Sequence, residues 1–113
     1  MAKSNKPIVW GLFAAGGTLT AFLLPVLIVL TLLAALGHVP EALSYARLHG
    51  FAAHWLGKLA LVAFVVLSLW HAAHRLRVTL HDFGVRADTL VALTVYAVAA
   101  WGSVATILYV ARI

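Results

Sequence analysis

The segment WHAAHRLRVTLHD, residues 70–82, sets His71, His74 and His81 among Trp70, Arg75 and Arg77, directly after a run of almost wholly apolar residues. At about 100° per helical residue, His74 and His81 lie within about 20° of one another and Trp70 and Arg77 within about 40° of His81, with His71 and Arg75 further round. Such a face of donors, cations and an aromatic suits a quinone, whose carbonyl oxygens must accept hydrogen bonds as electrons arrive. Histidine also relays a proton near neutral pH. The same residues equally suit a basic helix end that meets lipid headgroups. Haem is a third use, because a b-type haem takes axial imidazoles and His54, His71 or His74 offers one. His54 and His74 stand about 30 Å apart on an ideal helix, and His71 and His74 lie one turn apart on a single helix, so a bis-histidine haem needs a second helix or chain.

Two further positions invite chemistry. His54 and Lys58 are spaced i, i+4 near the opposite end of the same segment, where Lys58 either snorkels outward or joins a second ligand or proton site. Trp10, in IVWGLF, is by itself an aromatic-belt residue.

The elements that carry these residues are membrane helices. The chain has 113 residues, 65% hydrophobic and 10% charged, with a mean hydropathy of +1.06, whereas soluble domains average about 25% charged. Eight Lys and Arg face three Asp and Glu, and the cations gather at span ends, where they set orientation rather than bind nucleic acid. With no cysteine, the chain itself excludes disulfides and Cys-ligated clusters. The composition predicts an all-α integral membrane protein with three transmembrane helices in one membrane-anchor domain, residues 1–113.

The spans fall at about 7–36, 51–81 and 89–110. The apolar region from Gly11 to Leu36 exceeds the roughly 7–15 residues of a cleavable signal core, so it reads as a retained first span. Ser4 and Asn5 are candidate caps, Pro7 suits an early helical position, and Pro25 should kink the helix. A connector, GHVPEALSYARLHG, carries a possible amphipathic turn from Glu41 to Leu48. The second span, at about 45–50 Å, must tilt or protrude. Asp88 is a candidate cap for the third, which carries a small-residue strip at Ala99 and Ser103 and interfacial anchors at Tyr109 and Arg112. Lys3, Lys6, Arg75, Arg77 and Arg86 gather on one side, Arg47 and Arg112 on the other. The first side should be cytoplasmic, which sets Trp10 on the same membrane face as His74 and Arg75.

The order PIVWGLFAAGG, LPVLIVL, ALSYARL and LWHAAHRLRVTLHD, from about Pro7 to Ile113, resembles the fumarate reductase D subunit, a membrane anchor of quinol:fumarate oxidoreductase. The resemblance implies a larger helical anchor bundle in a four-subunit complex of the bacterial cytoplasmic (inner) membrane, with a flavoprotein, an iron–sulfur protein and a second three-helix anchor, the C subunit. It implies FAD and iron–sulfur clusters on those partners, and menaquinone or another quinone at a shared site near the iron–sulfur protein. Matched residue by residue, the tryptophan of WGLF is Trp10 and the His–Arg pair is His74 and Arg75, all three at that quinone site. The phenylalanine that opens span two is Phe51, but the polar pair after it is Ala53 and His54 here, which bears on any distal quinone site. The resemblance implies neither haem nor a metal bound by this chain, although His71 departs from the family pattern. Two other readings stay open: a haem b-binding succinate dehydrogenase anchor and, of a different class, a small pore-forming, holin-like protein.

Overall fold

The computed structural model describes residues 4–113, so Lys3 of the basic amino-terminal group lies outside the described residues. Four α-helices follow in order: α1 (Lys6–Ala35), α2 (Tyr45–Ala53), α3 (Trp55–Asp82) and α4 (Asp88–Ala111), with a 3-10 turn at Glu41–Leu43 before α2. Helices α1, α3 and α4 are each long and apolar enough to cross a membrane. This is the all-α, three-span architecture expected from the composition.

Helix α3 is central: α1 packs on one side of it and α4 on the other. The packed seams are built from small residues. Gly16, Gly57, Ala73, Ala99 and Ser103 are buried, whereas Phe22, Trp101 and Leu90 remain largely exposed. That distribution is the reverse of a soluble core and suits membrane helices, where small residues let backbones approach and large apolar groups meet lipid or other chains. The strip at Ala99 and Ser103 is thus an α4 packing face, and the Ser103 hydroxyl satisfies itself on the Ala99 carbonyl at 2.7 Å.

The approach of α1 to α3 is closest at Gly16. A Cβ there would overlap the Leu67 carbonyl oxygen, and one at Gly17 would sit 2.6 Å from His71 Cε1. One turn further on, Thr20 donates to the Gly16 carbonyl at 2.8 Å and its hydroxyl lies 2.9 Å from that of Ser68, a polar stitch between the two helices.

Both α1 and α3 end in the same way. Gly37 and Gly84 take positive φ, 83° and 90°, and the amides after them, His38 and Val85, donate back to Leu33 and Leu80. This is the Schellman stop, in which a left-handed residue satisfies the last carbonyls and glycine carries no Cβ penalty.

Three local expectations differ from the structure. The second span begins at Trp55 rather than near 51, because His54 is extended (φ −73°, ψ 142°) and caps α3, its Nδ1 accepting from the Leu56 amide at 3.2 Å. Phe51 therefore belongs to the preceding helix α2, which covers the connector's far end. Asp88 is not a cap but the first residue of α4, after Ala87, and its carboxylate is spent on Arg77. Asn5 is the cap residue of α1 but makes no side-chain cap bond, while Ser4 accepts from the Lys6 amide at 3.2 Å.

Candidate functional site

The short turn between α3 and α4 brings the end of one helix beside the start of the next. Arg77 reaches across it, donating from Nε to Asp88 Oδ1 at 2.9 Å and from Nη2 to Oδ2 at 2.6 Å. This two-point fork fixes the guanidinium plane as a single contact could not. The arginine's Cζ lies 5.8 Å from the centroid of the Tyr96 ring, within the range of a cation–π contact. Tyr96 in turn stacks on Trp70, with centroids 5.8 Å apart and planes 22° from parallel.

On the other side of α3, α1 supplies Trp10 and Phe13. Phe13 stacks on His71 at 4.4 Å and meets His74 edge-on at 4.8 Å, and Trp10 meets His74 edge-on at 5.9 Å. His71 Nδ1 lies 3.1 Å from the Phe13 carbonyl. A carbonyl only accepts, so this nitrogen carries a proton and donates. His71 is thereby spent on holding α1 against α3. His74 Nδ1 lies 3.1 Å from the Tyr96 hydroxyl, and among the described residues its Nε2 has no hydrogen-bond partner.

Between these two aromatic walls opens a cleft of about 760 Å³, lined mainly by apolar atoms and by the polar groups of Trp10, Trp70, His74, Arg77 and Tyr96. Val9, Leu12, Val66 and Leu67 complete the floor. An apolar cavity with a few convergent polar groups is the usual form of a small-molecule site. A flat ring has aromatic faces to lie against, and a ring oxygen has the free nitrogen of His74 to meet.

The predicted residues divide. Trp10 and His74, 64 positions apart in the chain, come together in the cleft. Arg75 is exposed and does not line it; Arg77 does, although it is committed to Asp88. His81 is outside the lining as well. Phe51 and His54 lie at the opposite end of α3, where His54 stacks near Trp55 at 6.1 Å and caps the helix. Lys58 donates to the Ala111 carbonyl at 3.4 Å. A cation there meets the unsatisfied carbonyl end of α4. Phe13 and Tyr96 are site residues outside the set that the sequence pattern marks. Among the described residues, no three His, Cys, Asp or Glu gather into a set that would hold a metal ion.

Comparison with known proteins gives this geometry its family. The model of the fumarate reductase D-subunit family matches residues 1–111. The fumarate reductase D subunit of Aliivibrio fischeri (strain MJ11) is 37% identical over 110 residues, covering 96% of this chain and 92% of that protein. That of Photobacterium profundum is 38% identical over 110 residues, with the same coverage of 96% and 92%. That of Vibrio cholerae serotype O1 (strain M66-2) is 43% identical over 82 residues, 71% of this chain and 63% of that protein. With three spans and a match along nearly its full length, the chain belongs to the fumarate reductase D-subunit family, as a multi-pass membrane anchor of that complex.

Proposed function

We propose that the chain forms one wall of a quinone pocket and seats the iron–sulfur and flavoprotein subunits of the complex on the membrane, beside a second three-helix anchor. The observation that carries this reading is the convergence of Trp10 and His74 in an open aromatic cleft with Trp70, Arg77 and Tyr96. In this reading the quinone, menaquinone or another, lies with its ring between the aromatic walls and one oxygen at His74. Its tail follows the apolar floor. FAD and the clusters sit on the partner subunits, and fumarate is reduced there rather than on this chain. The basic end that holds Lys6, Arg75 and Arg86 faces the cytoplasm of a bacterial inner membrane, in keeping with the excess of cations on that side.

Arg75 is the second polar contact to quinone in this reading, and its exposed position requires that the pocket be completed by a neighbouring chain of the complex. A distal quinone would lie at the opposite end beside Phe51 and His54, where the capping role of Nδ1 leaves only Nε2 of His54 for a ligand. His71, whose ring is engaged with Phe13, has a packing role that needs no haem.

The test uses the assembled complex. Trp10→Ala or Arg75→Ala should lower quinol-linked fumarate reduction at least about tenfold relative to dye-linked reduction by the same preparation, the scale of one lost hydrogen bond to a charged or developing charge. If quinol-linked turnover of both variants kept pace with the dye-linked rate, the assignment would be wrong. Purification from native membranes should also bring down a flavoprotein, an iron–sulfur protein and another three-span chain. Recovery of self-associated copies that permeabilise vesicles would instead favour a pore.

A further inference from the structure

We propose that Tyr96 is a positioning residue that lets His74 meet both redox forms of the quinone, an inference that rests on the quinone-site reading above. The two forms make opposite demands. A quinol hydroxyl needs an acceptor, whereas a quinone carbonyl needs a donor. A neutral imidazole answers one or the other according to which ring nitrogen carries its proton, and the hydrogen bond made by the far nitrogen fixes that choice. A carbonyl at the far nitrogen would lock one tautomer, as the Phe13 carbonyl does for His71. His74 has a hydroxyl there, 3.1 Å from Nδ1. A phenol donates as well as accepts, so the same contact survives in either tautomer.

With quinol bound, Nδ1–H donates to the Tyr96 oxygen and Nε2 presents its lone pair to the quinol hydroxyl. On oxidation the quinol O–H bond breaks and an Nε2–H bond forms, leaving an imidazolium whose Nδ1–H is already held by the phenol oxygen. The two electrons pass to the iron–sulfur acceptor of the partner protein, and the second quinol proton leaves to water from the other ring oxygen. The Nδ1 proton then passes to the Tyr96 oxygen as the phenol releases its own proton to water, so that with quinone bound the phenol donates to Nδ1 and Nε2–H is the donor to the carbonyl. The ring of Tyr96 is held still for this by its stack on Trp70 and by Arg77, itself forked to Asp88. The rings stay in place while these protons move.

The experiment is steady-state quinol-linked fumarate reduction by the assembled complex, normalised to dye-linked turnover of each preparation, for Tyr96→Phe, His74→Ala and the double variant. Tyr96→Phe keeps the ring that lines the cleft, so KM should stay within about twofold while kcat falls about tenfold. The double variant should be no slower than His74→Ala, because the hydroxyl acts only through that imidazole. Wild-type kcat in Tyr96→Phe beside an impaired His74→Ala would overturn the role of Tyr96 alone, as would losses that multiply in the double variant. Wild-type kcat in His74→Ala would overturn the quinone-site reading beneath it.

Discussion

Replacing Gly16 by alanine tests whether the close approach of α1 to α3 holds the cleft together. The added Cβ would overlap the Leu67 carbonyl oxygen and lie 2.9 Å from its carbon. Backbone atoms cannot swing aside, so α1 must withdraw by about 1 Å to restore ordinary contact, at the cost of overpacking, about 1–3 kcal/mol. The same withdrawal would stretch the 2.9 Å contact between Thr20 and Ser68 past hydrogen-bonding range, a loss of about 0.6 kcal/mol in a membrane bundle. Alanine's better helix propensity returns up to about 1 kcal/mol. The net is about 2 kcal/mol, or about thirtyfold in the population with α1 detached.

The assay is the rate at which the detergent-solubilised complex loses quinol-linked turnover on heating, and two further glycines calibrate it. Gly17→Ala would press on His71 Cε1 at 2.6 Å, a ring edge that gives way more readily than backbone, so its effect should be smaller. At Gly11 a Cβ meets nothing within 4 Å, so alanine there should be neutral or slightly stabilising. The expected order of damage is Gly16, then Gly17, then Gly11. Equal behaviour of Gly16→Ala and Gly11→Ala would refute the claim that backbone contact sets the α1–α3 distance.

Other substitutions separate packing roles from ligand roles. His54→Ala should destabilise the start of α3 by about 0.5–1 kcal/mol, and His54→Asn should recover the loss by restoring a cap; failure of asparagine to do so in thermal inactivation would point to a ligand role for the imidazole. Lys58→Met should cost less than about 1 kcal/mol by the same measure, since it removes one long contact to the carbonyl end of α4, and a larger loss would mean that Lys58 has another partner. Asp88→Asn should loosen the α3–α4 turn, seen as faster proteolysis there, and the double swap Arg77→Asp with Asp88→Arg should restore part of the protection. No recovery in the swap would mean that the pair acts through something other than mutual attraction.

The three spans were legible because hydropathy over about 20 residues needs no tertiary knowledge. The pairing of Trp10 with His74 was legible from topology alone, since antiparallel spans return the end of the second to the face where the first begins. Tyr96 was missed, although the hairpin contains the signal: His74 lies eight residues before the end of α3 and Tyr96 eight residues after the start of α4. A short turn sets such residues at equal depth, but the sequence does not say which azimuth of α4 meets α3. The break at His54 was hidden for a different reason. Apolar residues continue through it, and an imidazole acting as a helix cap is not among the usual cap signals.

The density of titratable groups at the end of α3 follows from one helix serving several neighbours at once. Relative to His74, His71 lies about 60° round toward α1 and Arg77 about 60° round toward α4, so under two turns must supply the anchor for each flanking helix and the free group between them. His71 is fixed by Phe13, and Arg77 by Asp88. Among the described residues, the hydrogen-bond partner of the His74 imidazole is the Tyr96 hydroxyl. Removing either anchor should therefore disturb the cleft through the placement of α1 or α4 rather than by loss of a group that touches ligand. Exchanging His71 for glutamine, which can still donate to the Phe13 carbonyl, should preserve quinol-linked turnover far better than His71→Leu. If the two variants were equally impaired, His71 would have a role beyond packing.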